Sequence, residues 1–178
     1  MIKKIFNQYI GISMVIMLCL NLPARESETD YVENVKAVFI YHFTKYIQWP
    51  QTEDAFFKIA VIGDTPILEP LNEISQKKRI NHKAIKIIAV EDVNAIDSCR
   101  VLYVHGYKSA NLASIVRQTE GKHVLIIGDE AGALEAGAMI NFKLVDETVK
   151  FEINLKAMQA NGFYPSSELL KLAVRIIE

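Results

Sequence analysis

The side chains best placed to do chemistry sit where apolar runs end. KIAVIGD closes on Gly63-Asp64, HVLIIGD closes on Gly128-Asp129, and RVLYVH runs into His105-Gly106. Ligands of open α/β sheets bind beyond the carboxyl ends of strands, so acids and imidazoles there are candidates for a ligand or hydrolytic site. The surroundings argue against catalysis. Neither GxGxxG nor a P-loop occurs, and the glycines of GDEAGALEAG, at 128, 132 and 137, lack a phosphate-cradling spacing. A hydrolase built on Asp64 or Asp129 has no partner residue within a recognisable motif, and Gly-Asp at a strand exit is ordinary turn chemistry. His42, His82, His105 and His123 are scattered singly, and the two cysteines, Cys19 and Cys99, have no zinc-site spacing. The composition therefore predicts no catalytic residue, no metal site and no cofactor.

A different kind of site is expected near the C-terminus. MINFKLV (139–145) and TVKFEIN (148–154) alternate cleanly between apolar and polar residues. Such alternation marks an antiparallel hairpin with one covered face. Ile140, Phe142, Leu144, Val149, Phe151 and Ile153 should be covered, and Asn141, Lys143, Lys150 and Glu152 exposed. With Asp146-Glu147 as a two-residue turn, Lys143 opposes Lys150 and Asn141 opposes Glu152. Like charges directly opposite are unfavourable. Lys143, Lys150 and Glu152 are accordingly the expected contact for an acidic partner or a phosphate. The plainer reading is a solvated edge whose lysines discourage aggregation.

These residues need a scaffold. The stretch YVENVKAVFIYHFTKYIQWP (31–50) carries Val35, Val38, Phe39, His42, Phe43, Tyr46 and Ile47 at helical spacing, with Lys36, Lys45 and Gln48 opposite. Asp30 is the expected N-cap, Glu33 suits the first turn, and Pro50 should end the helix by Trp49. So wide an apolar band predicts a central helix buried around much of its circumference, Val38, Phe39, Phe43 and Ile47 included. FFKIAVIGD (56–64), AIKIIAV (84–90), RVLYVH (100–105) and HVLIIGD (123–129) read as strands covered on both faces. They alternate with helices starting near Pro66 and Ser109, which indicates an α/β fold with a Rossmann-like layered sheet and flanking helices. Asn154 should cap a short helix ending near Asn161-Gly162. Ser166 or Ser167 should cap a terminal helix whose stripe is Leu169, Leu170, Leu172, Ala173 and Ile176.

Residues 1–24 read as an export signal, with Lys3 and Lys4 followed by an uncharged, largely apolar run from Tyr9 to Leu20. That run is too short to span a bilayer. Cleavage after Ala24 leaves 25–178 as a single domain and takes the net charge from −1 to −3, since the segment holds two lysines and no acid. Such a charge offers no pull toward nucleic acid. Only Cys99 remains, which excludes an intramolecular disulfide.

The ordered stretches KAVFIYHFTKYIQWP, FKIAVIGD, GAMINF and KFEINLKAMQANGFYPSSELLKLA resemble the YfiR family of periplasmic proteins, over about Val35 to Ala173. The resemblance implies a non-enzymatic regulator. It would repress YfiN, an inner-membrane diguanylate cyclase with a periplasmic sensor domain, and be sequestered by the outer-membrane lipoprotein YfiB. It also implies a homodimeric α/β fold and control of cyclic di-GMP and biofilm formation. Redox control through a disulfide within the subunit is closed to this chain. The alternative is a sensor of a nucleotide or aromatic metabolite, acting on another membrane protein.

Overall fold

The structure, a computed structural model, describes residues 27–50, 53–91, 99–106 and 109–178. The expected export signal lies outside the described residues. No helix among those described is long and apolar enough to cross a membrane.

The described residues open with α1 (Glu28–Tyr46), which passes into β1 (Ile47–Gln48). Next come β2 (Phe56–Ile62), α2 (Leu68–Lys77), the hairpin β3 (Arg79–Ile80) and β4 (Lys83–Val90), β5 (Val101–Val104), α3 (Ser109–Thr119) and β6 (Leu125–Gly128). The C-terminal part is β7 (Ile140–Val145), β8 (Thr148–Asn154), α4 (Leu155–Ala160), β9 (Tyr164–Pro165), α5 (Ser167–Leu172) and β10 (Arg175–Ile177). Eight strands form one sheet in the order β10-β8-β7-β6-β5-β2-β4-β3, while β1 and β9 pair antiparallel apart from it. The stretch β4-β2-β5-β6-β7 is parallel throughout, and the β7–β8 pair is antiparallel. The expected Rossmann-like sheet and C-terminal hairpin are both present.

β2, β5 and β6 build the core because both sheet faces are covered there, whereas β4, expected to be covered on both faces, has only Ile85 buried. Ile59, Val61, Val101, Tyr103, Leu125 and Ile127 face the core beneath α1 and α2, whereas Ala60, Ile62, Leu102, Val104 and Ile126 face that beneath α3. The chain leaves β2 for β4 on one side and crosses back to β5 on the other. This reversal is the topological switch point of such folds. Backbones crowd there, since a Cβ at Gly63 (φ +107°) would come within 2.3 Å of the His105 carbonyl oxygen.

The hairpin register is as the alternation requires: Lys143 opposes Lys150, Asn141 opposes Glu152 and Val145 opposes Thr148. Asp146 and Glu147 both adopt positive φ, the backbone of a two-residue turn matched to strand twist. Asn154 caps α4 through Ala157 N, and Ser166 caps α5 through Leu169 N.

Several expectations need correction, among them the covering of Leu144 and Leu172, which are 57% and 63% exposed. Ser27, not Asp30, caps α1; Asp30 is the return partner of a capping box, its carboxylate accepting from Ser27 N. α1 stops at Tyr46, because Ile47 and Gln48 are drawn into pairing with Pro165 and Tyr164. The terminal helix stops at Leu172, and Arg175–Ile177 instead runs as a parallel strand beside β8. The β-branched Val174, Ile176 and Ile177 suit that role, and the strand satisfies an otherwise open edge of β8. Finally, Asn141 and Glu152 are not exposed, at 4% and 5% of their possible surface, because the added strand lays Arg175 over their end of the hairpin.

Candidate functional site

Three features could serve function. The first lies at the carboxyl ends of β5 and β6. β5 turns Tyr103 toward α1, and Asp129 follows β6 directly. One oxygen of Asp129, Oδ2, accepts from Tyr103 Oη at 2.5 Å, from Lys36 Nζ at 2.9 Å and pairs with His105 Nδ1 at 2.8 Å. Lys36 also donates to Glu33 Oε1 at 2.8 Å, and Thr65 Oγ1 approaches Glu33 Oε2 at 3.4 Å. Apart from His105, whose side chain is 30% exposed, the cluster is buried or nearly so, with the Asp129 side chain only 3% exposed.

Burial pushes the Asp129 carboxyl upward, but the bonds from Tyr103, Lys36 and His105 outweigh it and hold it below the usual aspartate range. Burial likewise works against the Lys36 ammonium, and its bonds to Glu33 and Asp129 keep it above its ordinary value. Burial, then the Asp129 charge, pushes the Tyr103 phenol well up. Groups fixed in these states are poor proton shuttles at neutral pH, since an efficient acid or base has a pKa near the working pH. The cluster is a clamp seating α1 on the sheet. Asp64, the other acid weighed for hydrolysis, is exposed in its turn. Gly128, far from cradling a phosphate, admits Ala133, whose Cβ would be 2.8 Å from a Cβ there. The Cys99 thiol is buried and pushed up to about 12, chiefly by that burial, so it is no reactive nucleophile.

The second feature is the hairpin end carrying Lys143, Lys150 and Glu152. Glu152 Oε1 lies 3.4 Å from Lys143 Nζ and 3.2 Å from Arg175 Nε, and Arg175 Nη2 reaches Glu135 Oε1 at 2.7 Å. The ion pairs of Glu152 thus involve Lys143 and Arg175, while Lys150 stands across from Lys143 on the partner strand. Arg175 was hidden from sequence reasoning by the expected helix.

The third is a groove of about 540 Å³ between α1 and α5. Its walls include Tyr31, Val38, Phe39, His42, Tyr46 and Leu172. Tyr31 is 59%, Val38 48%, Tyr46 43% and Leu172 63% exposed, so a contiguous apolar strip faces outward. This corrects the expected burial of Val38. The band is as wide as the sequence shows, but the sheet takes only Ala37, Ile40, Phe43 and their neighbours. His42 is exposed on the strip, its ring 6.4 Å from that of Tyr46. His123 bonds Asn161 O at 3.0 Å, and His82 occupies the β3–β4 turn. Among the described residues no three His, Cys, Asp or Glu side chains could hold a metal ion.

The described residues thus combine a mostly parallel α/β sheet, a cluster of internal ion pairs at the carboxyl ends of β5 and β6, and an apolar groove left open beside α1. The chain belongs to the YfiR/HmsC-like family (DUF4154), whose model matches residues 33–174. The family is one of periplasmic regulators of cyclic di-GMP signalling. No curated protein matches the chain significantly. Among solved structures it is similar to an ABC domain in complex with L-Trp from Streptococcus pneumoniae, with 13% identity, a TM-score of 0.56 and 82% of this chain covered. It is also similar to a conserved domain protein from Vibrio cholerae O1 biovar eltor, with 12% identity, a TM-score of 0.59 and 81% covered. The chain spans 60% of each of those chains, and at such identities the likeness is one of fold.

Proposed function

We propose that this protein is a non-enzymatic periplasmic repressor that docks on the sensor domain of a YfiN-like inner-membrane diguanylate cyclase and lowers cyclic di-GMP and biofilm formation. The observation that carries this reading is the apolar strip Tyr31, Val38, Tyr46 and Leu172. Contiguous exposed apolar surface of this kind marks a site of association, and a regulator that releases its target needs such a surface without chemistry behind it. A YfiB-like lipoprotein would compete for the repressor, and a second copy of the chain would complete a homodimer. Lys143 and Lys150 are the proposed rim contact for an acidic partner surface, with Glu152 holding Lys143 in place.

The test is Val38→Glu in a host carrying the matching cyclase. Deleting the gene should raise cyclic di-GMP, the wild-type gene should restore it, and the folded variant should fail to. Full repression by Val38→Glu would remove the groove from the docking surface, and unchanged cyclic di-GMP on deletion would end the repressor reading. The double reversal Lys143→Glu plus Lys150→Glu should weaken partner binding without loss of stability.

The aromatic walls of the groove favour one second reading, a sensor for an aromatic metabolite. Among the described residues no lysine or arginine lines the groove to meet a nucleotide phosphate, and Glu168 does line it. Stabilisation by an aromatic ligand in the absence of any partner would favour this reading.

A further inference from the structure

The amino ends of β2, β4 and β5, opposite the Asp129 clamp, hold a nearly buried cation. Arg100 stands immediately before β5 and is 6% exposed. Its backbone is tied on both sides, the N–H donating to Lys58 O and the carbonyl accepting from Leu125 N. The guanidinium is fixed too: Nη2 donates to Pro50 O at 2.8 Å, and the group lies 5.6 Å from the centre of the Trp49 ring. That ring is held in turn, its Nε1 donating to Thr44 O at 2.9 Å and its plane set edgewise to Phe57 and Phe163. Among the described residues no carboxylate forms an ion pair with Arg100. Burial draws its pKa below the ordinary arginine value, and Asp54 opposes this only from longer range. An arginine this deeply buried normally has an anion against it.

Arg100 lines a cleft of about 350 Å³ together with Lys45 and Lys83, and no aspartate or glutamate among the described residues lines it. Lys45 is exposed, its Nζ 4.6 Å from the centre of the Tyr41 ring, and Phe56, 47% exposed, forms an apolar wall. Lys58, Arg100 and Lys122 all act on the adjacent Cys99 thiol, so the positive potential extends around this corner. A chain of net charge −1 thus gathers cations at one cleft. A cationic ligand would be repelled there, and a neutral one would leave the guanidinium unanswered. Phosphate suits the set, since a guanidinium fork matches its oxygens and ammonium groups answer its further charge. We infer that this cleft is a binding site for a phosphate group, held by Arg100 with Lys45 and Lys83 beside it. That chemistry is shared by a free phosphate ion and by the headgroup of an anionic lipid. The site is separate from the apolar groove and does not depend on the repressor reading.

Two probes distinguish the sources: inorganic phosphate, followed by calorimetry against chloride at equal ionic strength, and phosphatidylglycerol vesicles, followed by co-sedimentation against phosphatidylcholine vesicles. The wild-type protein should bind at least one of them saturably. Phosphate binding alone assigns the free ion, and vesicle binding alone assigns the headgroup. Arg100→Gln should weaken the binding about tenfold or more, as loss of a charged hydrogen-bond donor does. Should that variant not fold, Lys45→Gln serves, because Lys45 is exposed; it should weaken binding about threefold, and less at high salt. Failure of the wild type to bind either probe, or unchanged affinity in the variant that folds, would overturn the assignment.

Discussion

The two flanks of α1 invert the usual arrangement of a helix. One flank turns charged residues inward, with Glu33 and Lys36 sealed against Asp129 at the sheet edge. The other turns Tyr31, Val38 and Tyr46 outward along the groove. Both flanks belong to one regular helix, so propensity and period cannot tell them apart. What separates them is the neighbour: a β-strand terminus bearing a carboxylate on one side, and only the short α5 on the other. A helix of this kind is held by its polar flank and free to bind with its apolar one.

Four substitutions would break or sharpen that contrast. Phe43 lies between the flanks, fully buried, its ring 5.0 Å from Phe151 and 5.8 Å from Phe142. Phe43→Ala should cost about 3–5 kcal/mol in denaturant unfolding, and a loss under about 1 kcal/mol would mean α1 is not seated as described.

Lys36→Met leaves Asp129 and Glu33 buried without their cation and should cost about 3 kcal/mol. The same clamp sets a pH dependence. A carboxyl held below its unfolded value stabilises the fold above that value and loses the contribution as pH falls through the folded one. Acid unfolding of the wild type should therefore carry an Asp129 component beginning near its ordinary value of 3.8 and extending below it. In Lys36→Met that component should shrink. An unchanged acid limb would show that the pair contributes nothing.

Ser27→Ala removes the cap common to both flanks and should cost about 1 kcal/mol by thermal melting. No effect would mean the first turn frays in the native state. The smallest effect belongs to the apolar flank. Val38→Ala should change stability by about 0.5 kcal/mol or less, and a loss comparable to Phe43→Ala would mean that the groove is closed in solution.

Much of the scaffold was legible because its signals are local. The apolar runs ending in Gly-Asp name their own strands, and the alternation about Asp146-Glu147 fixes the hairpin to the residue. The candidate sites were legible only in part, since their partners are remote. Lys36 stands on the polar side of a helix and reads as solvated, yet it meets Asp129, 93 residues away. Arg175 falls inside the terminal helix that Leu169, Leu170, Leu172, Ala173 and Ile176 suggest by their helical spacing. The open edge of β8, which no local pattern reveals, made it a strand instead. Val38 shows the converse: the sequence displays an apolar band but not which edge of it goes uncovered.

The pairing of β1 with β9 has a consequence for how the chain comes to be folded. Tyr46 O receives Ser166 N at 2.8 Å, and Ile47 lies against Pro165. The end of α1 is thus fastened by residues far downstream in the sequence. Closure over so long a loop is slow and happens only after most of the polypeptide exists. Until then α1 lacks α5, β9 and the hairpin beneath it, and the nascent chain has no finished unit to lock in. A polypeptide whose α1 is fastened only by residues so far downstream remains threadable until they are made.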